Sequence, residues 1–251
     1  MTMEITPRAL SPAEVLTVWE TARRASPSVR ALVLMRSALP ASDGNSIATW
    51  CIGEGDALLF RLQRLMFGNR LECAAVCPAC ATALELTLEV ENLLASPGSG
   101  AATYQVTCGE PAQVIFFRLP NRSDLQALPL ETDEVALRKF LVERCVLYAE
   151  RNGEKISPAP IAEEIIAAVS AAMADADPQA EILLHLVCPN CAHVWQTNFD
   201  IVDFLWRKIH AAARQLLYEI HCLAQAYGWT EAEILALSPA RRQIYLELAL
   251  S

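Results

Sequence analysis

Apolar positions recur every three or four residues over several stretches and alternate every second residue over others, so the sequence predicts a mixed, mainly helical chain. The first helix is expected from Ser11 to about Arg24. There Ser11-Pro12-Ala13-Glu14 supplies a capping serine, a proline at the first helical position and a glutamate that returns to the serine backbone. Ser26-Pro27 repeats the start signal, and Val29, Leu32, Val33 and Arg36 carry a helical pattern to about Ala38. Pro40 to Asn45 is expected to be a loop, because Ser42-Asp43-Gly44-Asn45 is turn chemistry. Gly53-Glu54-Gly55-Asp56 leads into a helix over Ala57 to Phe67, closed by Gly68-Asn69. Ala83 to Val90 alternates like a half-buried strand, and Ser96 to Gly100 reads as a flexible linker. Tyr104 to Cys108 and Val114 to Leu119 predict a hairpin turning at Gly109-Glu110-Pro111. Glu131 to Glu150 and Pro158 to Ala174 read as two helices separated by Asn152-Gly153. From Asp200 to Tyr227, Ile201, Leu205, Ile209, Ala212, Leu216, Ile220 and Leu223 form one apolar stripe. Gly228 ends that helix, Thr230 and Glu233 form a second capping box, and Ser238-Pro239 starts a last short helix.

Composition narrows the class of protein. The 251 residues are 53% apolar and 20% charged, a globular balance, and the net charge of -9 argues against a duplex-binding surface. The longest apolar runs, Ile165 to Ala174 and Ile182 to Cys188, fall short of a membrane span. Met1 to Pro7 has no basic start leading into an apolar stretch, so a reducing cytosol is the expected compartment and the nine cysteines need a use other than disulfides.

Two Cys-Pro-x-Cys turns supply that use. Val76-Cys77-Pro78-Ala79-Cys80-Ala81 and Val187-Cys188-Pro189-Asn190-Cys191-Ala192 resemble each other, and each lies between strand-like stretches. A two-residue gap lets both thiolates of one turn face the same ion, and a tetrahedral zinc takes four such ligands. The expectation is therefore one structural zinc on Cys77, Cys80, Cys188 and Cys191, completing a zinc-ribbon-like β module split in sequence. Some 107 residues separate Cys80 from Cys188. A split of this length is tolerable because loop-closure cost grows only with the logarithm of length.

Other readings of these cysteines stand beside it: a redox Cys-x-x-Cys, two separate metal sites helped by His185 or His193, a catalytic zinc, or plain packed thiols. A zinc deaminase is excluded, since no His-x-Glu precedes either pair. Cys51, Cys73, Cys108, Cys145 and Cys222 lack partner spacing and read as core residues, Cys73 being a weak alternate ligand. His210 and His221, about 16 Å apart along one helix, cannot share an ion. Glu85, Glu89 and Glu91 read as the wet face of a strand, and Glu163-Glu164 as a helix first turn. No nucleophile elbow, phosphate-cradling loop or dinucleotide fingerprint is present. The stripe from Ile201 to Tyr227 is the core side of a helical domain. Phe204, Trp206, Leu217, Tyr218 and Trp229 give that region a second apolar face suited to a partner. Arg241-Arg242 reads as a solvated pair or a contact to a partner's carboxylates.

Several separated segments resemble a family, the baseplate proteins of contractile phage tails and tail-like injection particles, including the T4-type baseplate hub assembly chaperones. The resemblance lies in Ile52-Gly53-Glu54-Gly55-Asp56-Ala57-Leu58-Leu59 and in Phe67-Gly68-Asn69-Arg70-Leu71-Glu72 running into Cys77-Pro78-Ala79-Cys80. It continues with Phe117-Arg118-Leu119-Pro120 before Ser123-Asp124-Leu125, and with Asp177-Pro178 upstream of Cys188-Pro189-Asn190-Cys191. Ile220-His221-Cys222-Leu223-Ala224, Tyr227-Gly228-Trp229, Glu233-Ile234-Leu235-Ala236-Leu237 and Arg241-Arg242-Gln243-Ile244-Tyr245-Leu246 resemble the family's closing segment. Together they span roughly residues 50 to 250. The resemblance implies a non-enzymatic component or assembly chaperone of a baseplate, with the paired cysteines matching the family's. Its partners would be other baseplate, hub or spike proteins rather than nucleic acid, membrane or a small-molecule substrate. Such a protein would be cytoplasmic during assembly or built into the particle.

The resulting expectation is an α+β chain in five parts: a helical segment over residues 1–48, a helix and first knuckle over 49–94, an inserted hairpin and helical module over 95–180, a second knuckle over 181–200, and C-terminal helices over 201–251. The alternative function is a zinc-ribbon regulator or a metal-dependent enzyme.

Overall fold

The Ser11 side chain accepts the Glu14 amide hydrogen, and the Glu14 carboxylate accepts the Ser11 amide hydrogen at 2.8 Å, which starts α1 (Pro12–Ala22) where the capping box predicts. The computed structural model describes residues 6–40, 47–95, 101–129, 133–157 and 161–250. Arg8 also binds Glu14, with Nη1 2.9 Å from Oε2, and this ion pair pulls the carboxyl down to about 2. α2 (Pro27–Ala38) follows its Ser26-Pro27 signal, and α3 (Ile52–Phe67) starts five residues before the expected Ala57. Its first turn thus includes Gly53 and Gly55.

The first antiparallel hairpin, β1 (Arg70–Val76) and β2 (Ala83–Glu89), runs from the Arg70↔Glu89 pair to Val76↔Ala83 and is followed by the single turn α4 (Val90–Leu93). The insertion then holds β3 (Tyr104–Cys108), β4 (Gln113–Phe117), α5 (Arg122–Gln126), α6 (Glu134–Cys145), β5 (Val146–Arg151), β6 (Glu154–Ile156) and α7 (Glu163–Ala176). Its strands form one antiparallel sheet in the order β3-β4-β5-β6. The second hairpin, β7 (Leu183–Val187) and β8 (Val194–Asn198), runs from Leu183↔Asn198 to Val187↔Val194. α8 (Ile201–Tyr227) is capped by the Asp200 side chain and stopped by Gly228 in the left-handed conformation, and α9 (Glu231–Ala236) and α10 (Pro239–Leu250) complete the chain.

The α+β class is met, with two corrections. The helix expected over Glu131 to Glu150 ends at Cys145, and Val146–Arg151 is a strand paired on both sides, with β4 and β6. Asn152-Gly153 is the reason: both residues have positive φ, 53° and 83°, the geometry of a tight hairpin turn rather than a break between helices. α7 starts at Glu163 rather than Pro158. Residues 41–45 of the expected loop, the linker at Ser96 to Gly100, Glu131 and Pro158 lie outside the described residues.

Packing divides the protein into separate cores. The main core joins α1, α2 and α3 to the N-terminal half of α8 through Leu34, Met35, Leu59, Phe60, Leu205 and Ile209, all fully buried. Both hairpins are rooted in it. Leu71 and Val90 anchor the first, while Phe199, stacked between Phe60 at 5.8 Å and Phe204 at 5.6 Å, anchors the end of the second. The insertion has its own core, in which Ile115, Phe117 and Ala149 of the sheet face Ile166 and Val169 of α7. A small third core, with Leu223, Ile234 and Leu246 at its centre, holds α9 and α10 against the far end of α8.

The seam between insertion and main body is polar. Arg122 of α5 pairs with Asp56 of α3, and both are largely buried. The Gly53 amide donates to Asp177 Oδ2 at 2.9 Å. Gln179 ties the two ends of the insertion together, accepting from the Ala95 amide at 2.6 Å and donating to the Leu93 carbonyl at 3.3 Å. Inside the insertion, Asp124 receives Arg118 through both carboxylate oxygens, at 2.6 and 2.9 Å, and Arg144 at 3.0 Å. A Cβ at Gly53 would lie 1.8 Å from Asp177 Oδ1, so the approach is open to glycine alone. Gly53→Ala is expected to lower stability by about 1–3 kcal/mol, as overpacking does, measured as a fall in the urea midpoint. An unchanged midpoint would mean that the seam does not hold the insertion.

Candidate metal centre

Each knuckle is built by its hairpin. Val76↔Ala83 and Val187↔Val194 are the last pairs before the turns, which fixes where Cys77 and Cys188 leave the strands. The turns match bond for bond: Cys77 N donates to Thr82 O and Ala81 N to Cys77 O, while Cys188 N donates to His193 O and Ala192 N to Cys188 O, each at 2.9 Å. Ala81 and Ala192 both sit at positive φ, 58° and 57°. That conformation costs of order 1 kcal/mol for a residue with a Cβ, and it turns the chain so that the second cysteine of each pair faces back toward the first.

Because both hairpins rise from one core, their tips meet. The Sγ atoms of Cys77, Cys80, Cys188 and Cys191 all lie within 4.8 Å of one another. Cys77 and Cys191 are 3.7 Å apart, and Cys80 and Cys188 are 3.6 Å apart. Four thiolates about 2.3 Å from a tetrahedral zinc are separated by about 3.8 Å, so the cluster has the size such an ion requires. These four cysteines could hold one metal ion such as zinc. Cys77 and Cys188 are each 1% exposed and pack with Leu84 and Trp195, whereas Cys80 is half-buried and Cys191 exposed.

Electrostatics favour a cation here. Cys80 shares a hydrogen bond with the Thr82 hydroxyl at 3.1 Å, the largest of the effects that pull its thiol down to about 6. For Cys191 the backbone hydrogen bond at His193 favours the thiolate, but Cys80, burial, Cys188 and Cys77 together push the thiol up to about 12. One thiolate forms readily and the next is resisted; a divalent ion removes that resistance. Asn190 crosses between the knuckles, its amide donating to Thr82 Oγ1 at 3.2 Å.

No known protein family, curated protein or solved structure matches the chain. What the site can do therefore follows from its own geometry. Around a tetrahedral ion four sulfurs would complete the sphere, the ligand set of structural zinc sites.

The other sequence candidates divide. His185 and His193 are exposed and outside the cluster; His185 lies 3.3 Å from the Gln196 amide and His193 stacks near Trp195. Cys73 packs beside the main core, Cys145 is buried in the insertion, and Cys51, Cys108 and Cys222 are half-buried. The second apolar face is corrected in part. Phe204 and Trp206 are 4% and 5% exposed within the main core: the Phe204 ring meets Phe199 at 5.6 Å, and Arg30 of α2 caps the Trp206 ring at 4.8 Å. Leu217 and Tyr218 are exposed. Trp229 is half-buried, stacked on Tyr227 at 4.7 Å and meeting Tyr245 at 5.0 Å. Arg241 is exposed, but Arg242 is not a solvated residue: its Nε reaches Glu219 at 2.9 Å and its Nη1 the Leu237 carbonyl at 2.7 Å, which locks α10 to α8. Sequence reasoning missed the seam residues Asp56, Arg122, Asp177 and Gln179, and the exposed Ile244 and Leu248 of α10. Glycines inside a helical first turn were the one signal pointing to the seam.

Two outcomes are expected. Elemental analysis of the isolated chain should find one ion per chain, all of it lost in Cys77→Ser and equally in Cys188→Ser; partial retention in either variant would mean two sites. Phe204→Ala should cost about 3–5 kcal/mol of stability, and Tyr218→Ala no more than about 0.5 kcal/mol, both read from denaturant midpoints.

Proposed function

We propose that the chain is a non-enzymatic component or assembly chaperone of the baseplate of a contractile tail or tail-like injection particle, working through protein–protein binding around one structural zinc. The observation that carries the zinc reading is the meeting of two cysteine pairs, distant in sequence, in one four-sulfur set of tetrahedral size. Zinc is the ion favoured by four thiolates in a reducing compartment. With it bound, the two hairpins are the halves of a split zinc ribbon.

The baseplate reading rests on the resemblance, and the roles of the resembling segments are consistent with it. Gly53 and Asp56 meet Asp177 and Arg122 at the seam, and Arg118 meets Asp124 inside the insertion. The segments thus serve the architecture rather than a reaction, as expected of a scaffold. Candidate partner surface lies on the C-terminal helices, where Leu217 and Tyr218 of α8 and Ile244 and Leu248 of α10 expose apolar side chains. Ile244 and Leu248 are one helical turn apart and 56% and 62% exposed. The partners are other baseplate, hub or spike proteins. Among the described residues, no helix is long and apolar enough to cross a membrane.

The test is co-expression of the tagged full-length chain with the other components of such a particle, followed by purification and identification of what is retained. A stoichiometric complex with a baseplate, hub or spike protein is expected, and it should weaken at least tenfold in Ile244→Asp/Leu248→Asp with the bound metal unchanged. A folded, metal-bearing chain that retains none of these proteins would refute the baseplate reading. A metal that chelators remove with the fold intact, and with loss of a catalytic activity, would refute the structural one.

A further inference from the structure

We infer that the four-cysteine centre is also an oxidation-sensitive site, at which a peroxide converts the metal-bound thiolates into two disulfides, each joining one knuckle to the other. The inference rests on the metal reading above. It starts from unequal exposure: the first cysteine of each knuckle is buried, whereas of the second ones Cys80 is half-buried and Cys191 exposed. An oxidant arriving from solvent meets the outer pair first. Among the four sulfurs, all within 4.8 Å of one another, two contacts join an outer cysteine to an inner one. Cys80 lies 3.6 Å from Cys188 and Cys191 lies 3.7 Å from Cys77, so each outer sulfur touches the inner sulfur of the opposite knuckle. A disulfide at about 2.05 Å needs these gaps to close by roughly 1.6 Å, a distance that side-chain rotation can cover once the ion no longer holds the sulfurs apart.

The chemistry balances with peroxide as the only co-reactant. The Cys80 thiolate attacks one peroxide oxygen; the S–O bond forms, the O–O bond breaks, and hydroxide leaves and is protonated to water. The Cys188 thiolate attacks the resulting sulfenic sulfur; the S–S bond forms, the S–O bond breaks, and a second hydroxide leaves as water after protonation. Cys191 and Cys77 react in the same way. Each disulfide yields two electrons, takes up two protons and reduces one peroxide to two waters, and the ion, stripped of its thiolates, departs as the free divalent cation. Because each bond crosses between hairpins, the two halves of the chain stay joined after the metal has gone. Restoring the thiols and the metal reverses the change.

The experiment uses the full-length chain with its bound metal. Metal content is measured first, hydrogen peroxide is added with a chromogenic zinc chelator present, and tryptic peptides are mapped without reduction. Trypsin separates the knuckles but leaves both cysteines of each in one peptide, as no Lys or Arg lies between them. Disulfides across the knuckles therefore appear as a linked peptide pair, assigned by fragmentation to Cys80–Cys188 and Cys77–Cys191. Disulfides within knuckles appear as two separate peptides, each lighter by two hydrogens. Loss of the one bound ion in step with the linked pair, reversed by dithiothreitol and added zinc, is the expected result. Disulfides within knuckles, sulfinic or sulfonic products, or unchanged thiols would overturn the inference. An isolated chain without metal would overturn the metal reading instead, and the peptide map would still decide the disulfide pairing.

Discussion

Four sulfurs that would repel one another as thiolates are held within 4.8 Å of one another across two hairpin tips, and the rest of the fold is arranged so that they can be. Among the described residues neither hairpin is part of a larger sheet, so neither has the cross-strand support that would fix it alone. Their positions come from below, from Leu71 and Val90 under the first and Phe199 and Ile201 under the second, all set in the core that α8 shares with α1, α2 and α3. From above, the proposed ion would close the gap between tips. The core thus places the knuckles, and an ion bound between the tips would tie them to each other.

The insertion is joined to this frame in a different way. Its apolar core is separate from the main one, and the contact between them is made by Arg122 with Asp56, Asp177 with Gly53, and Gln179 with the Leu93 to Ala95 backbone. Burial pushes the Asp56 carboxyl upward and the Arg122 guanidinium opposes it. Such a pair contributes little net stability and a good deal of positional specificity, because any other docking leaves a buried charge without its partner. By tying Ala95 to Gln179, the seam brings the ends of the insertion together. The second knuckle is therefore delivered beside the first across 107 residues, at a closure cost that grows only with the logarithm of that length.

Much of the local structure was legible in the residues. Ser11, Ser26 and Thr230 mark helix starts, Gly228 marks a stop, and the two Cys-Pro-x-Cys turns lie at hairpin tips as their spacing implies. These features are local, and their energetics are decided within a few residues. The failures lie where a partner outside the segment decides its fate. Val146 to Arg151 continues a helical-looking segment, yet pairing with β4 and β6 satisfies its backbone and the Asn152-Gly153 turn suits that pairing. Phe204 and Trp206 read as surplus apolar face until Phe199 and Arg30 meet them in the main core, and Arg242 reads as solvated until Glu219 meets it.

By itself the sequence determined the class of fold, the helix limits set by caps, and which four cysteines are candidate ligands, since a two-residue gap lets both thiols of one turn face the same ion. Only the tertiary structure decided that both pairs form one set. It also decided that the outer cysteines face the inner ones of the opposite knuckle, and which apolar side chains remain exposed. The reason is that sulfur positions across 107 residues depend on how two hairpins are rooted in a shared core and on how an insertion's ends are tied, and no local pattern encodes either.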